Sequence, residues 1–378
     1  MPENKIESGK KRLDYKKIIW LFLAWRVALF IVAYFAHFTI AKNSGTLFPD
    51  DIHPLLAGWI LFDCNWFTDI AKYGYVGNLS TAFFPLWPLV ILLFSKIFFF
   101  FNIKLVAFGI ANLLTLVCCL LFYKVVSINH EEQIAFRSVK YFLFFPMSFF
   151  MATNYSEPLF LLLVLGSFYF AITNQKLLAS VSAIGAGLTR LVGTTMAVPL
   201  AIEFFIQKNN LKEKIKNLIF LLLIPTGILI YMFYLKKTFS DPFVFSHVQA
   251  HWQREIGLKG FADLFKQIKF LFSFRIADPN YPSILIQPGS VLLFLIILLT
   301  GIKKLRISYL VYSLLMILIP LSSGNLLSIN RFLIVVFPFF IALSYLGRRK
   351  WVDTLATFVF LMLLGYFTAL FTNGWWVA

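Results

Sequence analysis

The chain has 378 residues, is 60% hydrophobic and has a mean hydropathy of +0.81, a balance that excludes a soluble globular domain and reads as a polytopic membrane protein. Its net charge of +17 does not read as a nucleic-acid surface. The basic residues concentrate in short loops between apolar runs, where the positive-inside rule and attraction to anionic lipid place them.

Residues 1–17 carry Lys5, Lys10, Lys11, Arg12, Lys16 and Lys17 and are expected in the cytoplasm. The first apolar run, 18–41, is long enough to span and reads as a retained helix. Asp50, Asp51, His53, Asp63 and Asp69 follow in an acidic segment of opposite sign, which assigns 42–104 to an external loop with shallow helices. The run 82–101 is apolar enough to cross, but parity argues against it. If it crossed, the basic stretches 208–216, 303–306 and 348–350 would all lie outside, whereas a shallow or re-entrant helix keeps them with the N-terminus. Pro85, Pro88 and Lys96 fit the shallow form. Spans are then predicted at 105–127, 137–152, 158–173, 177–190, 191–206, 217–235, 289–302, 307–320, 331–347 and 352–371, with a second external loop at 236–288. The expected fold is an all-α integral membrane bundle, one domain over 1–378, of about eleven crossings with an external C-terminus.

One stretch is too polar for hydrocarbon and too aromatic for water: Phe62-Asp63-Cys64-Asn65-Trp66-Phe67-Thr68-Asp69-Ile70-Ala71-Lys72-Tyr73-Gly74-Tyr75, with Ala82-Phe83-Phe84-Pro85 soon after. At helical spacing Asp63, Trp66, Phe67, Ile70 and Gly74 share one face, which predicts a helix at the membrane surface. Asp63 would start it, where the helix dipole favours a carboxylate, and Gly74 would end it. These residues resemble the Trp-Asp … Ile-Ala … Gly-Tyr … Ala-Phe-Phe-Pro signature of the PIG-V family of GPI mannosyltransferase II type and its bacterial relatives. Phe62 departs from the pattern, standing where the family usually has Trp. The resemblance implies a GT-C-like fold and transfer of a hexose, mannose in that family, from a polyprenyl-phosphate sugar to a glycan or glycolipid acceptor. It places the reaction on the side of the membrane away from the cytoplasm and expects the catalytic residue to be an Asp of the first external loop. The lipid-linked donor is then a co-substrate, with no separate cofactor, no metal and no nucleic-acid partner.

Such a transfer needs a carboxylate to take the acceptor proton, cations for the leaving phosphate, and a groove for the lipid. Asp63 is the expected base; Asp69 lies about 240° further round the helix and should face solvent. Arg190, in Gly185-Ala186-Gly187-Leu188-Thr189-Arg190-Leu191-Val192-Gly193, and Arg331, in Ser328-Ile329-Asn330-Arg331-Phe332, sit at the edges of apolar runs. Arginine there is costly, and its planar fork suits phosphate, although snorkelling to headgroups is the plainer alternative. The family has an Arg in a similar Gly-rich setting and a late Arg-aromatic…Phe-Pro motif. Glu157, in Asn154-Tyr155-Ser156-Glu157-Pro158, opens a helix with Ser156 as cap and Pro158 in the first turn. It either positions the acceptor or Arg190, or is a helix-start carboxylate and nothing more. His247 and His251 are four apart, but a zinc site lacks a third ligand. Trp252 and Gln253 have the chemistry of a sugar site, and Asn65, Tyr75, His247 and Asn330 join them as expected substrate contacts. Cys64, Cys118 and Cys119 have neither metal spacing nor a disulfide pattern. The main rival reading, a transporter or flippase of a lipid-linked sugar, needs charged groups along a midplane path.

Overall fold

The computed structural model describes residues 13–206, 210–254, 259–272, 281–322, 326 and 328–377. All the regular secondary structure among the described residues is helical, with α1 Tyr15–Thr39, α2 Pro54–Ala57, α3 Asp63–Tyr73, α4 Leu86–Ile97, α5 Ile103–Ser127, α6 Glu132–Phe144, α7 Glu157–Ile172, α8 Lys176–Thr189 and α9 Ala197–Ile206. There follow α10 Leu211–Leu223, α11 Thr226–Phe239, α12 Val244–His247, α13 Lys259–Leu271, α14 Tyr281–Thr300, α15 Ile307–Leu321, α16 Ile329–Leu333, α17 Phe337–Leu346 and α18 Lys350–Thr372. Four stretches, Tyr15–Thr39, Ile103–Ser127, Leu211–Phe239 and Lys350–Thr372, are long and apolar enough to cross a membrane. Shorter apolar helices fill the bundle between them. This is an integral membrane protein with an all-helical polytopic fold.

The phenylalanines build the interior. Phe294 stacks on Phe339 with ring centroids 3.7 Å apart, and Phe145 meets Phe294, Phe339, Phe340 and Phe360. Phe337 packs among Phe122, Phe168, Tyr309 and Tyr312. In lipid, burial of apolar surface drives helix association little, so close ring packing of this kind carries much of it.

Several spans read as continuous are broken. The stretch 217–235 is two helices interrupted at Ile224 and Pro225, since proline supplies no N–H to the turn before it. Residues 331–347 divide into α16 and α17, with Pro338 in the first turn of α17. The first part of 191–206 is a 3₁₀ turn over Leu191–Met196, and Thr194 and Thr195 bond back to the carbonyls of Leu191 and Val192. The region 137–152 is the end of α6 followed, after Pro146, by a 3₁₀ turn at Ser148–Ala152.

α4 has 12 residues, roughly 18 Å, against about 30 Å of hydrocarbon. It returns to the end where it began. Asn102 caps α5 and donates to Asp51 Oδ2 at 2.9 Å, while Lys104 Nζ reaches Asp51 Oδ1 at 2.7 Å. Trp375 Nε1 donates to the carbonyl of Ala41 at 3.0 Å, so the chain after α18 shares this end. The basic segments gather at the other end. Arg348 lies 2.9 Å from Glu131, Lys17 4.0 Å from Glu132, and Arg306 forks onto the buried Glu203 at 2.6 and 2.8 Å.

Candidate active site

α3 begins at Asp63 and ends at Gly74, whose φ of +75° is open to glycine at no steric cost and whose N–H reaches the carbonyl of Ile70 at 2.9 Å. Phe62, just before it, holds φ +55°, a region costing a residue with a Cβ on the order of 1–3 kcal/mol. Its ring is clamped against Phe371 and Trp376, at 5.5 and 5.1 Å. The turn that aims Asp63 is therefore held by α18 and the tail behind it.

Three distant segments converge on Asp63. Arg331 Nη1 donates to Asp63 Oδ2 at 2.6 Å, and Arg331 Nε lies 3.3 Å from Glu157 Oε1. The same Glu157 oxygen accepts from Arg190 Nη1 at 2.5 Å. Glu157 and Arg331 are buried and Asp63 is partly open. The result is a chain of alternating charge, Asp63–Arg331–Glu157–Arg190, at one end of the bundle. Ion pairs this deep hold only when their geometry is good and further bonds support them.

Local structure explains the placement. Arg190 leaves the line of α8 with φ −153° and caps it through its N–H to the carbonyl of Ala186. The 3₁₀ turn then folds back so tightly that a Cβ at Gly193 would lie 2.3 Å from the Ala186 carbonyl. Arg331 is set by the short α16, which starts from Ser328 at φ +65°. Its guanidinium carbon lies 5.1 Å from the centre of the Tyr155 ring, 5.2 Å from Phe332 and 5.8 Å from Trp376. Pro158 stands in the first turn of α7 as expected, but Ser156 forms no side-chain cap; its backbone is already helical. Among the described residues Glu157 Oε2, Asn154 Oδ1, Asn330 Oδ1 and the Tyr155 hydroxyl are buried without hydrogen-bond partners, which leaves them for water or a substrate hydroxyl.

Not every expected residue joins this cluster. Asp69 is exposed on the other side of α3. Tyr75 donates its hydroxyl to the carbonyl of Phe83 at 2.8 Å and packs on Tyr231 and Tyr234 of α11, which makes it a clasp between the loop after α3 and α11. His247 stands apart and exposed, with Nδ1 2.8 Å from Asp241 Oδ2. Asn65 lies half-buried on α3, and Gln253 is exposed at φ +55°. Trp252 meets the edge of Phe83, which stacks on Trp66 at 5.4 Å. Residues 255–258 and 273–280 of the expected second loop, 236–288, lie outside the described residues. Among the described residues no group of three or more His, Cys, Asp or Glu side chains gathers as a metal site would require. A cavity of about 710 Å³ opens at the far end of the bundle, beside Lys17, Glu131, Arg137, Lys140 and Asp353, away from this cluster.

Sequence reading assigned no role to Arg254 or Phe332. The Phe332 ring lies 5.0 Å from the Arg190 guanidinium, 5.2 Å from that of Arg331 and 5.3 Å from that of Arg254. The adjacency of Phe332 to Arg331 was a signal for Phe332; no local pattern marked Arg254.

Among solved structures, the chain resembles over nearly its whole length the Archaeoglobus fulgidus oligosaccharyltransferase crystallised with a tethered acceptor peptide. The TM-score is 0.50 at 11% identity, covering 93% of this chain and 55% of that one, so the chain spans about half the length of that enzyme. The likeness is one of fold, the GT-C architecture. No curated protein sequence matches. The family described as Mannosyltransferase (PIG-V) matches residues 16–239, which takes in α1 to α11 and with them Asp63, Glu157 and Arg190. With more than half its length so matched, the chain belongs to the PIG-V mannosyltransferase family, whose chemistry is glycosyl transfer.

Proposed function

We propose that the protein transfers a hexose, mannose by family, from a polyprenyl-phosphate sugar to a glycan or glycolipid hydroxyl on the side of the membrane away from the cytoplasm. The observation that carries this reading is the Asp63–Arg331–Glu157–Arg190 chain, assembled from four segments at one end of the bundle.

Asp63 is the base. Arg331 holds Oδ2, so Oδ1 takes the proton from the acceptor hydroxyl. The acceptor oxygen forms its bond to the anomeric carbon as the bond from that carbon to the phosphate oxygen breaks. The electron pair leaves on the polyprenyl phosphate, whose charge Arg331 and Arg190 stabilise with planar donor forks. Glu157 touches neither reacting atom; it positions both guanidiniums. Asn330 and Trp252 supply sugar contacts, one through an unpaired amide oxygen and one through an aromatic face.

The test is release of sugar from a radiolabelled polyprenyl-phosphate donor. Asp63→Asn keeps the shape and removes the proton acceptor, so turnover is expected to fall about 10²–10⁴-fold with donor binding retained. Asp69→Asn, on the exposed side of α3, is expected to cost little. Normal turnover in Asp63→Asn would end the assignment.

A further inference from the structure

Arg26 stands in the middle of α1, where a charge in hydrocarbon is costly, and it is only 8% exposed. Its guanidinium carbon lies 3.9 Å from the centre of the Phe30 ring, 4.4 Å from that of Trp59 and 5.2 Å from that of Phe108. The three rings also meet one another. Phe30 lies 5.6 Å from Trp59 and 6.5 Å from Phe108, and Trp59 lies 6.4 Å from Phe108. They close a cage between α1, α5 and the segment before α3. Phe30 is one turn further along α1 towards the Asp63 end, so the Arg26 side chain leans to that end. Phe108 stands about 9 Å along α5 from its Asn102 cap, which sets the depth of the cage below the rim.

Rings attract the charge but offer no lone pair to its N–H groups. Nη1 and Nη2 of Arg26 are buried with no hydrogen-bond partner among the described residues, and so is Nε1 of the caging Trp59. Each unpaired group of the cage is a donor, so an acceptor is what would satisfy it. The seam is lined with apolar side chains on its lipid side: Val27, Phe30 and Ile31 of α1 and Leu113 and Val117 of α5 are exposed. Gly109, beside Phe108, is exposed too, with nothing within 4 Å of where a Cβ would stand. One guanidinium matches the single charge of a phosphodiester, whereas a phosphate monoester carries nearly two.

We propose that Arg26 and Trp59 form a site for the phosphodiester of a membrane phospholipid, which enters from the bilayer between α1 and α5. Its oxygens accept from the Arg26 fork and the Trp59 indole, and its chains lie along the exposed apolar stripes of the two helices. The depth is one that headgroups reach where a bilayer thins around a buried arginine. The site is separate from Arg190 and Arg331, the arginines assigned above to the donor, and no covalent step takes place in it. The Cys64 thiol donates to the Trp59 carbonyl at 3.9 Å, so a lipid held here steadies the start of α3.

The experiment titrates phosphatidylglycerol into the delipidated full chain in neutral detergent and reads affinity from the thermal midpoint. Diacylglycerol with the same chains and inorganic phosphate are separate probes. The native chain is expected to bind phosphatidylglycerol and to respond to neither of the others. Arg26→Met fills the cage with an unbranched apolar side chain and is expected to weaken phosphatidylglycerol roughly 10- to 100-fold, the loss of charge-assisted bonds. Arg26→Lys should fall between the two, since it keeps the charge without the fork. Lys96→Gln, which removes an exposed charge from α4, is expected to bind as the native chain does. Equal affinity in the native chain and Arg26→Met overturns the inference. So does a loss in Lys96→Gln as large as that in Arg26→Met, because the lipid would then be reading net charge. If Arg26→Met does not fold, Arg26→Lys decides: native affinity there overturns it as well. A native chain that binds phosphatidylglycerol no better than diacylglycerol leaves Arg26 as an anchor for the three rings and overturns the site. Inorganic phosphate bound as tightly as the lipid overturns its assignment to a phospholipid.

Discussion

Glu157 is the residue on which the site's geometry turns. One of its oxygens faces both Arg190, at 2.5 Å, and Arg331, at 3.3 Å, so a single carboxylate sets the spacing of two guanidiniums. Glu157→Gln keeps the size but offers a neutral oxygen, and each arginine loses a charge-assisted partner worth about 1.5–3 kcal/mol. The expected result is a donor KM raised roughly 10-fold or more, with a smaller change in kcat at saturating donor. Steady-state kinetics at varied donor checks it, and restoration by Glu157→Asp, which keeps the charge, separates positioning from bulk. Asp63 was legible as a helix-start carboxylate in a family motif. Its partner was not, because 268 residues separate Asp63 from Arg331.

At the scale of elements, the Gly-rich run around Arg190 shows why a motif has its composition. Gly193 lies where a Cβ would press to 2.3 Å on the Ala186 carbonyl, and backbone atoms cannot yield as a side-chain tip does. Gly193→Ala should therefore open the 3₁₀ turn, cost about 1–3 kcal/mol and draw Arg190 away from Glu157. A lowered thermal midpoint together with weaker donor binding is the expected pair of readouts. A lowered midpoint with donor binding intact would mean that Arg190 does not depend on the turn. Apolar periodicity located the helices but missed the breaks at Pro225 and between α16 and α17. Hydropathy averages over a window, whereas a break is set by one missing N–H or one tight turn.

At the scale of the whole molecule, the two ends differ in charge. The Asp63 cluster and the acidic first loop share one end, and Arg306, Arg348 and Lys17 share the other. We expect the basic end to face the cytoplasm. In a background lacking the native cysteines, an impermeant thiol reagent added from outside should label Leu47→Cys and spare Lys214→Cys and Arg349→Cys. Labelling of the last two from outside would invert the molecule. The basic end is also held by Glu203, buried under the Arg306 fork and the Ser308 hydroxyl. Arg306→Ala leaves that carboxylate without its counter-charge and should cost about 3–5 kcal/mol, seen as a fall in the detergent unfolding midpoint with donor affinity unaffected.

By itself the sequence determined the solvent, the class and the parts. Its hydropathy required a membrane, its apolar runs placed most of the helices, and the Asp63-to-Gly74 spacing located the helix α3 and its two ends. These are local properties, carried by neighbours within a turn or two. The tertiary structure alone decided which charges meet. Nothing near Glu157 announces that it will share an oxygen between Arg190 and Arg331, and nothing near Arg254 announces the ring of Phe332. Those pairings follow from how helices far apart in the chain pack, and that packing is set by the fit of rings and small residues across the whole bundle.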